Sequence, residues 1–239
     1  MAKKPFQFKQ FSIYQDRCAM KVGTDGVLLG AWASLERQPF SVLDIGAGTG
    51  LLSLMMAQRS TAELIDAIEI DDNAYEQCTE NFEASAWNDR LFCYHAGFDE
   101  FVDEIDDKYD LIISNPPFYS EAVTSGSMQR DVARNNFSLP FDELMKGVAK
   151  LLDPKGTFNV VVPYKEEANF REIASKYKLF PSRITHVKGN VAAETKRSLL
   201  EFTFSKLPNC VKDELVIEHA RHEYTADYVQ LTKDFYLKM

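Results

Sequence analysis

Residues 41–50, SVLDIGAGTG, leave a chain few ways to fold. An apolar run of strand length breaks into glycines at 46, 48 and 50, and the stretch that follows, LLSLMMAQR, has helical character. A strand that turns straight into a helix returns to its sheet by a right-handed crossover, beside a parallel neighbour. The same alternation then repeats. ELIDAIEI reads as a second strand, Asp72 as the cap of a helix to about Ala86, RLFCYH as a strand, 99–105 as a short helix and YDLIIS as a strand. LPFDELMKGVAKLL is an amphipathic helix, GTFNVVVP a strand and 164–177 a helix, and SRITHVKG and RSLLEFTFS follow as two strands with only a loop between them. These elements predict an α/β fold: a doubly wound, mostly parallel, seven-stranded sheet with an antiparallel edge strand. The chain reads as one domain over 1–239, with an N-terminal extension over 1–35, a core over 36–210, and a strand and closing helix over 211–239.

Composition excludes several classes. The chain is 45% hydrophobic and 26% charged, as in an ordinary soluble globule, and no apolar run approaches bilayer length. The start, MAKKPFQFKQ, has charge without a following apolar region, so no secretory signal is read and the cytoplasm is expected. Cys18, Cys78, Cys93 and Cys210 are scattered without a Cys-x-x-Cys pair and read as reduced thiols. His219 and His222 lack further Cys or His nearby and read as surface residues, so no metal is expected. No obligate protein partner is evident.

The net charge of −9 is unevenly placed: residues 61–110 hold 16 acidic and 2 basic side chains, while both flanks are mildly basic. In the expected strand order this block falls on one half of the sheet, so a polyanion would be guided to the other half.

The glycine spacing is informative in what it lacks. Position 51 is Leu, so G-x-G-x-x-G is not met and a pyrophosphate has no evident seat. Small consecutive residues let a ligand lie against the backbone, and Glu69, at the end of the second strand, can accept both hydroxyls of a ribose. A nucleoside fits. Joined to SNPPF at the end of the fourth strand, this resembles the class I S-adenosylmethionine (AdoMet) methyltransferases, particularly those that methylate an exocyclic or amide nitrogen.

That resemblance explains why the strand YDLIIS stops abruptly at Asn115, Pro116, Pro117 and Phe118. A planar NH2 is a poor nucleophile because its lone pair is delocalised. If the Asn115 side-chain oxygen and the Pro116 carbonyl each accept one N–H, the amino group is oriented and its lone pair can point at a methyl sulfonium. The prolines hold both acceptors in place. Phe118 offers a ring on which a flat base can stack.

Further stretches, KVGTDGVLLGAW, ARNNFSLPFDELM, KRSLLEF and YTADYVQLTKDFYLK, are similar to the bacterial tRNA(Val) adenine-37 N6-methyltransferase family over nearly the whole chain. The resemblance implies that Lys21, Thr24 and Gly26 lie near the methionine end of AdoMet. It implies that Asp44, Gly46, Ala47, Gly48 and Gly50 form the floor, that Glu69 with Ile70 holds the ribose, and that Gly97 and Phe98 border the adenine. Asn115 would face both cofactor and substrate. The partner implied is tRNA, with Arg130, Arg134, Lys188, Lys196 and Arg197 as phosphate contacts.

Plainer readings compete. Thr24 and Asp25 can simply cap a helix, the five cations can be solvated surface charges, and Phe6, Phe8 and Phe11 can be packing. Trp32 and Trp87 read as structural. The long polar stretch 119–138 has no periodicity. Rival activities are methylation of a release-factor glutamine, for which the roughly 40 residues before the glycines are few, or of guanine N2 in rRNA. A non-catalytic AdoMet-binding RNA chaperone is the rival outside enzymes.

Overall fold

A computed structural model of the chain describes residues 4–116 and 139–239. The strands are β1 (Phe6–Gln7), β2 (Ser12–Ile13), β3 (Ser41–Ile45), β4 (Leu64–Glu69), β5 (Leu91–His95), β6 (Tyr109–Ser114), β7 (Leu152–Pro163), β8 (Phe180–Asn190), β9 (Thr195–Thr203), β10 (Val211–Ala220) and β11 (Glu223–Tyr224). The helices are α1 (Thr24–Trp32), α2 (Leu51–Arg59), α3 (Asp72–Glu83), α4 (Phe98–Glu104), α5 (Phe141–Leu151), α6 (Glu167–Lys176), which follows a 3-10 turn at Tyr164–Glu166, and α7 (Ala226–Thr232).

β1 and β2 form a separate hairpin, and the other strands form one sheet in the order β11-β10-β8-β9-β7-β6-β3-β4-β5. β5, β4, β3, β6 and β7 are parallel to one another. β3, β4 and β6 are buried on both faces, which is why they read as near-continuous apolar runs, while β5 at the sheet edge exposes Phe92, Tyr94 and His95. Alternation along each strand sorts its side chains between two cores. Val42, Leu111, Ile113 and Val161 pack with α1, α2, α3 and α7, while Leu43, Ile112, Phe158, Val160 and Val162 pack with α4, α5 and α6.

The α/β, mostly parallel architecture is as expected, with two corrections. Among the described residues the sheet has nine strands rather than seven, because β10 pairs in parallel along β8 and β11 folds back on β10. The antiparallel strand β9 is interior, between β7 and β8, not at an edge. Leu199 is buried in one core and Leu200 and Phe202 in the other, so both faces of β9 need cover and an edge would leave it partly bare.

Two helix starts also differ in detail. Asp71, not Asp72, caps α3, its side chain accepting from Ala74 N at 2.9 Å. α1 is capped at Gly23 without a side-chain bond, so Thr24 is its first residue and not its cap. Phe8 and Phe11 are buried and stack at 4.7 Å, and Trp32 donates to Thr185 Oγ1 at 2.7 Å inside the fold; all three are packing residues.

Most acidic residues of 61–110 lie on β4, α3, α4 and the loops beside them, the half of the sheet beyond β3, with Asp110 on β6 as the exception. Among the described residues, no helix is long and apolar enough to cross a membrane, and no group of three or more His, Cys, Asp or Glu is placed to hold a metal ion.

Candidate active site

The three glycines after β3 all adopt left-handed conformations, with φ of 73° at Gly46, 56° at Gly48 and 77° at Gly50. A side chain at any of them would be strained, which is the physical content of the every-second-residue spacing. The turn is pinned to the neighbouring strand, since Gly46 N and Ala47 N both donate to Ile68 O at 3.0 Å. The glycines then divide into two kinds. A Cβ at Gly46 or Gly48 would meet nothing within 4 Å, whereas at Gly50 it would stand 2.5 Å from Phe82 and 2.9 Å from Cys78. The first two leave open space for a ligand; the third lets α2 pack on α3.

That open space belongs to a cleft of about 350 Å³ at the carboxyl ends of β3, β4, β5 and β6. Of the residues singled out from the sequence, Lys21, Gly26, Gly46, Ala47, Gly48, Glu69, Ile70, Gly97, Phe98, Asn115 and Pro116 line it. Thr24, Asp44 and Gly50 do not. Thr24 faces outward at the start of α1, Gly50 is spent on packing, and Asp44 is fully buried beneath the floor. Pro117, Phe118, Arg130 and Arg134 lie outside the described residues.

Glu69 is built into the floor rather than hanging over it. Its Oε2 accepts from Gly48 N at 2.8 Å, and its Oε1 accepts from Ile70 N and Asp71 N at 2.9 Å each. A carboxylate has about four acceptor sites, so with one bond on Oε2 and two on Oε1 one remains open on Oε2. Burial raises its pKa, and the three backbone bonds oppose that rise. Asp44 is pushed further, to about 7, by complete burial against two bonds from Ser53, and its Oδ1 has no partner among the described residues.

On the opposite wall, α1 begins against Asn115. A Cβ on Gly26 would stand 3.0 Å from Leu51 and 3.8 Å from Asn115 Nδ2, so glycine is what lets the helix lie there. Ser114 Oγ donates to Ile45 O at 2.8 Å and ties the end of β6 to β3 just before the Asn-Pro step.

Apart from Lys21, sequence reading missed the segment that walls one side of the cleft. Residues 18–23 line the cleft and arrive there as a strap across α3. Buried Asn81 accepts from Tyr14 N and donates to Tyr14 O, both at 2.9 Å, and Gln77 accepts from Arg17 N at 3.1 Å. Arg17 completes the clamp with Glu76 and Glu80. One signal was available: Asn81 sits on the same helical face as Cys78 and Phe82, both buried, where a polar residue needs a reason. Leu139 and Glu143 border the cleft from the side of α5 and were likewise not anticipated.

The expected phosphate contacts are partly engaged already. Arg197 Nε lies 2.8 Å from Asp25 and Lys188 Nζ 2.8 Å from Glu214, while Lys196 is exposed.

A family of known proteins shares this plan. The methyltransferase small domain matches residues 27–176. Proteins from Christiangramia forsetii and Bacteroides fragilis, each named tRNA1(Val) (adenine(37)-N6)-methyltransferase, are 59% and 46% identical to the chain, with all of both chains covered. A third, from Flavobacterium psychrophilum, is 58% identical over 98% of this chain and all of its own. The chain belongs to this methyltransferase family. Solved structures agree on the fold. A predicted O-methyltransferase from Agrobacterium tumefaciens superposes with a TM-score of 0.68 over 88% of this chain and 96% of its own at 16% identity. A putative RNA methyltransferase from Pyrococcus horikoshii gives 0.54 over 74% and 80% at 18% identity. In the methyltransferase described here, the cleft is therefore the place to look for methyl transfer.

Proposed function

We propose that the enzyme binds AdoMet in this cleft and methylates the exocyclic N6 of adenosine 37 in tRNA(Val), acting in the cytoplasm. The observation that carries the reading is the continuity of one cleft from the open cradle at Gly46 and Gly48, past the Glu69 carboxylate, to Asn115 and Pro116. Such a space suits a nucleoside joined to an amino acid. Oε2 of Glu69 accepts a ribose hydroxyl, Gly97 and Phe98 flank the adenine, and Lys21 with Gly26 borders the methionine end. When bound, AdoMet supplies an electrophilic methyl group on a sulfonium.

The chain's own contribution to the chemistry is orientation. Asn115 Oδ1 and the Pro116 carbonyl each accept one N–H of the target amino group, which fixes its plane and directs its lone pair into the cleft. The product nitrogen loses one proton to water, so no side chain has to act as a strong base. Phe118, by the sequence reading, stacks on the target base. The C. forsetii and B. fragilis relatives carry this activity in their names, which supports the choice of adenine in tRNA over guanine in rRNA or a glutamine amide.

Incubation with radiolabelled AdoMet and total unmodified tRNA, followed by nucleoside and tRNA identification, is the test. Label in N6-methyladenosine of tRNA(Val) is expected. Label in N2-methylguanosine or in a release factor would transfer the enzyme to a rival reaction, and RNA binding with no label would make it a chaperone.

A further inference from the structure

Tyr164 stands where β7 ends and the 3-10 turn begins. β7 is the neighbour of β6, and Ser114 is in register with Val160, so β7 runs on past the level at which β6 gives way to Asn115. With about 3.3 Å per residue and about 4.8 Å between strands, Tyr164 stands roughly 10 Å above the Asn115 backbone on the adjacent strand. Its side chain is 46% exposed, although a tyrosine ring gains much from burial.

The ring is nonetheless held. His186 of β8 meets it edge to face, with centroids 5.0 Å apart and planes at 82°. His186 Nε2 is 2.8 Å from Glu167 Oε2, which also accepts from Ser198 Oγ at 2.7 Å. Glu167 Oε1 accepts from Arg171 at 3.2 Å, and Glu167 is itself buried. The turn, α6, β8 and β9 thus converge on a ring that stays about half exposed while His186 packs against it. A ring fixed before binding loses little entropy on binding, which is what a stacking surface needs.

The surroundings favour a polyanion. Pro163 is in register with Arg197, and Lys188 with Thr195, so Lys188, Lys196 and Arg197 share this rim with Lys165 and Tyr164. The acidic block of residues 61–110 lies mostly across the sheet, beyond β3, while on this rim Lys188 and Arg197 are paired with Glu214 and Asp25 and Lys196 is exposed.

We propose that Tyr164 is a stacking platform for a base next to the methylated adenosine, with His186 and Glu167 as its positioning residues. The inference rests on the tRNA reading above. A base withdrawn from a loop into an active site leaves its neighbour with an unstacked face, and a fixed ring at the rim replaces the lost stack.

The test uses the full chain, an anticodon stem-loop RNA with adenosine at position 37, and the same RNA made abasic at the two flanking positions in turn. Tyr164→Ala should raise the KM and Kd for the stem-loop about 5- to 100-fold, with AdoMet affinity and Tm unchanged. Tyr164→Phe should restore binding. One abasic RNA should weaken wild-type binding as much as Tyr164→Ala does and lose nothing more in that variant. Tyr164→Trp should bind the RNA with quenching of its fluorescence. Unchanged stem-loop KM and Kd in Tyr164→Ala, with adenosine still methylated, would overturn the platform and leave the reaction standing. Binding that depends on Tyr164 without any adenosine methylation would overturn the reaction and leave the platform standing.

Discussion

The Asn81 side chain on α3 donates to the Thr49 carbonyl of the glycine turn at 2.9 Å. The same amide exchanges two bonds with the Tyr14 backbone, so the glycine turn and the strap that leads to the cleft are joined through one residue. Asn81→Ala leaves buried backbone groups without partners and should cost about 1–3 kcal/mol of stability. AdoMet affinity should fall as well, because residues 18–23 lose their anchor. Thermal unfolding with and without AdoMet measures both, and a variant destabilised but binding normally would separate the strap from the cofactor.

The two kinds of glycine should behave oppositely. Gly48→Ala places a methyl group in the open cradle at a positive φ, so it should cost only about 1–2 kcal/mol of stability while strongly weakening AdoMet binding. Gly50→Ala adds a clash with Phe82 and Cys78 to the same backbone strain. Its stability loss should be larger, about 2–5 kcal/mol. Denaturant unfolding and calorimetric titration of the pair check the contrast; equal AdoMet losses in well-folded forms of both would refute it.

Asn115→Ala should separate chemistry from binding. Its amide orients the target nitrogen, so the single-turnover methylation rate should drop by at least about a hundredfold, with AdoMet affinity changed less than about threefold. Glu69→Ala is the converse, weakening AdoMet by about 1.5–3 kcal/mol through lost charge-assisted bonds. Comparable loss of affinity in the two variants would show Asn115 to be a cofactor residue.

Asp44 predicts a pH dependence. Burial lifts its carboxyl to about 7 in the folded chain, whereas an unfolded aspartate titrates near 3.9. Between these values the folded state binds the extra proton, so this group's contribution makes stability fall as pH rises from about 4 to about 7. Asp44→Asn keeps an acceptor for Ser53 and should flatten that decline. Tm measured across the window decides it, and a slope identical to wild type would mean that Asp44 does not titrate there.

Lys196 gives the cleanest test of the RNA path, because Arg197 is also paired with Asp25 and its loss would disturb the start of α1. Lys196→Ala should weaken tRNA binding and reduce the slope of log K against log salt by about 1. The acidic surface variants Glu83→Ala and Asp103→Ala should change affinity only through repulsion that salt screens. A larger effect from the acidic set would place the RNA on the other half of the sheet.

Much of the cleft is legible in the sequence because its parts are punctuation at strand ends. Gly46, Gly48, Glu69 and Asn115 each interrupt an apolar run, and in a parallel sheet such interruptions gather at one edge. What spacing does not tell is which residue of such a turn faces the cleft and which faces a helix or the core; Gly50 packs against α3 and Asp44 lies beneath the floor. Asn81 was out of reach for another reason, since its partners are 67 and 32 residues away and no local pattern connects them. The position of β9 is likewise a non-local outcome, decided by the need to cover Leu199 and Leu200 on opposite faces. Local rules did better at caps, where the miss was one residue, Asp71 for Asp72.

The strap has one further anchor. Lys9 N donates to Phe235 O at 2.8 Å and Phe8 bridges Tyr236, so the hairpin that leads into the strap is held by the segment after α7. Lys9 and Lys233, also bonded, are 224 residues apart in the chain. On a ribosome the anchors on α3 are available early, whereas this last one exists only after translation has passed Tyr236. Nascent chains stalled before α7 should therefore fold their central sheet but retain AdoMet less tightly than the released chain.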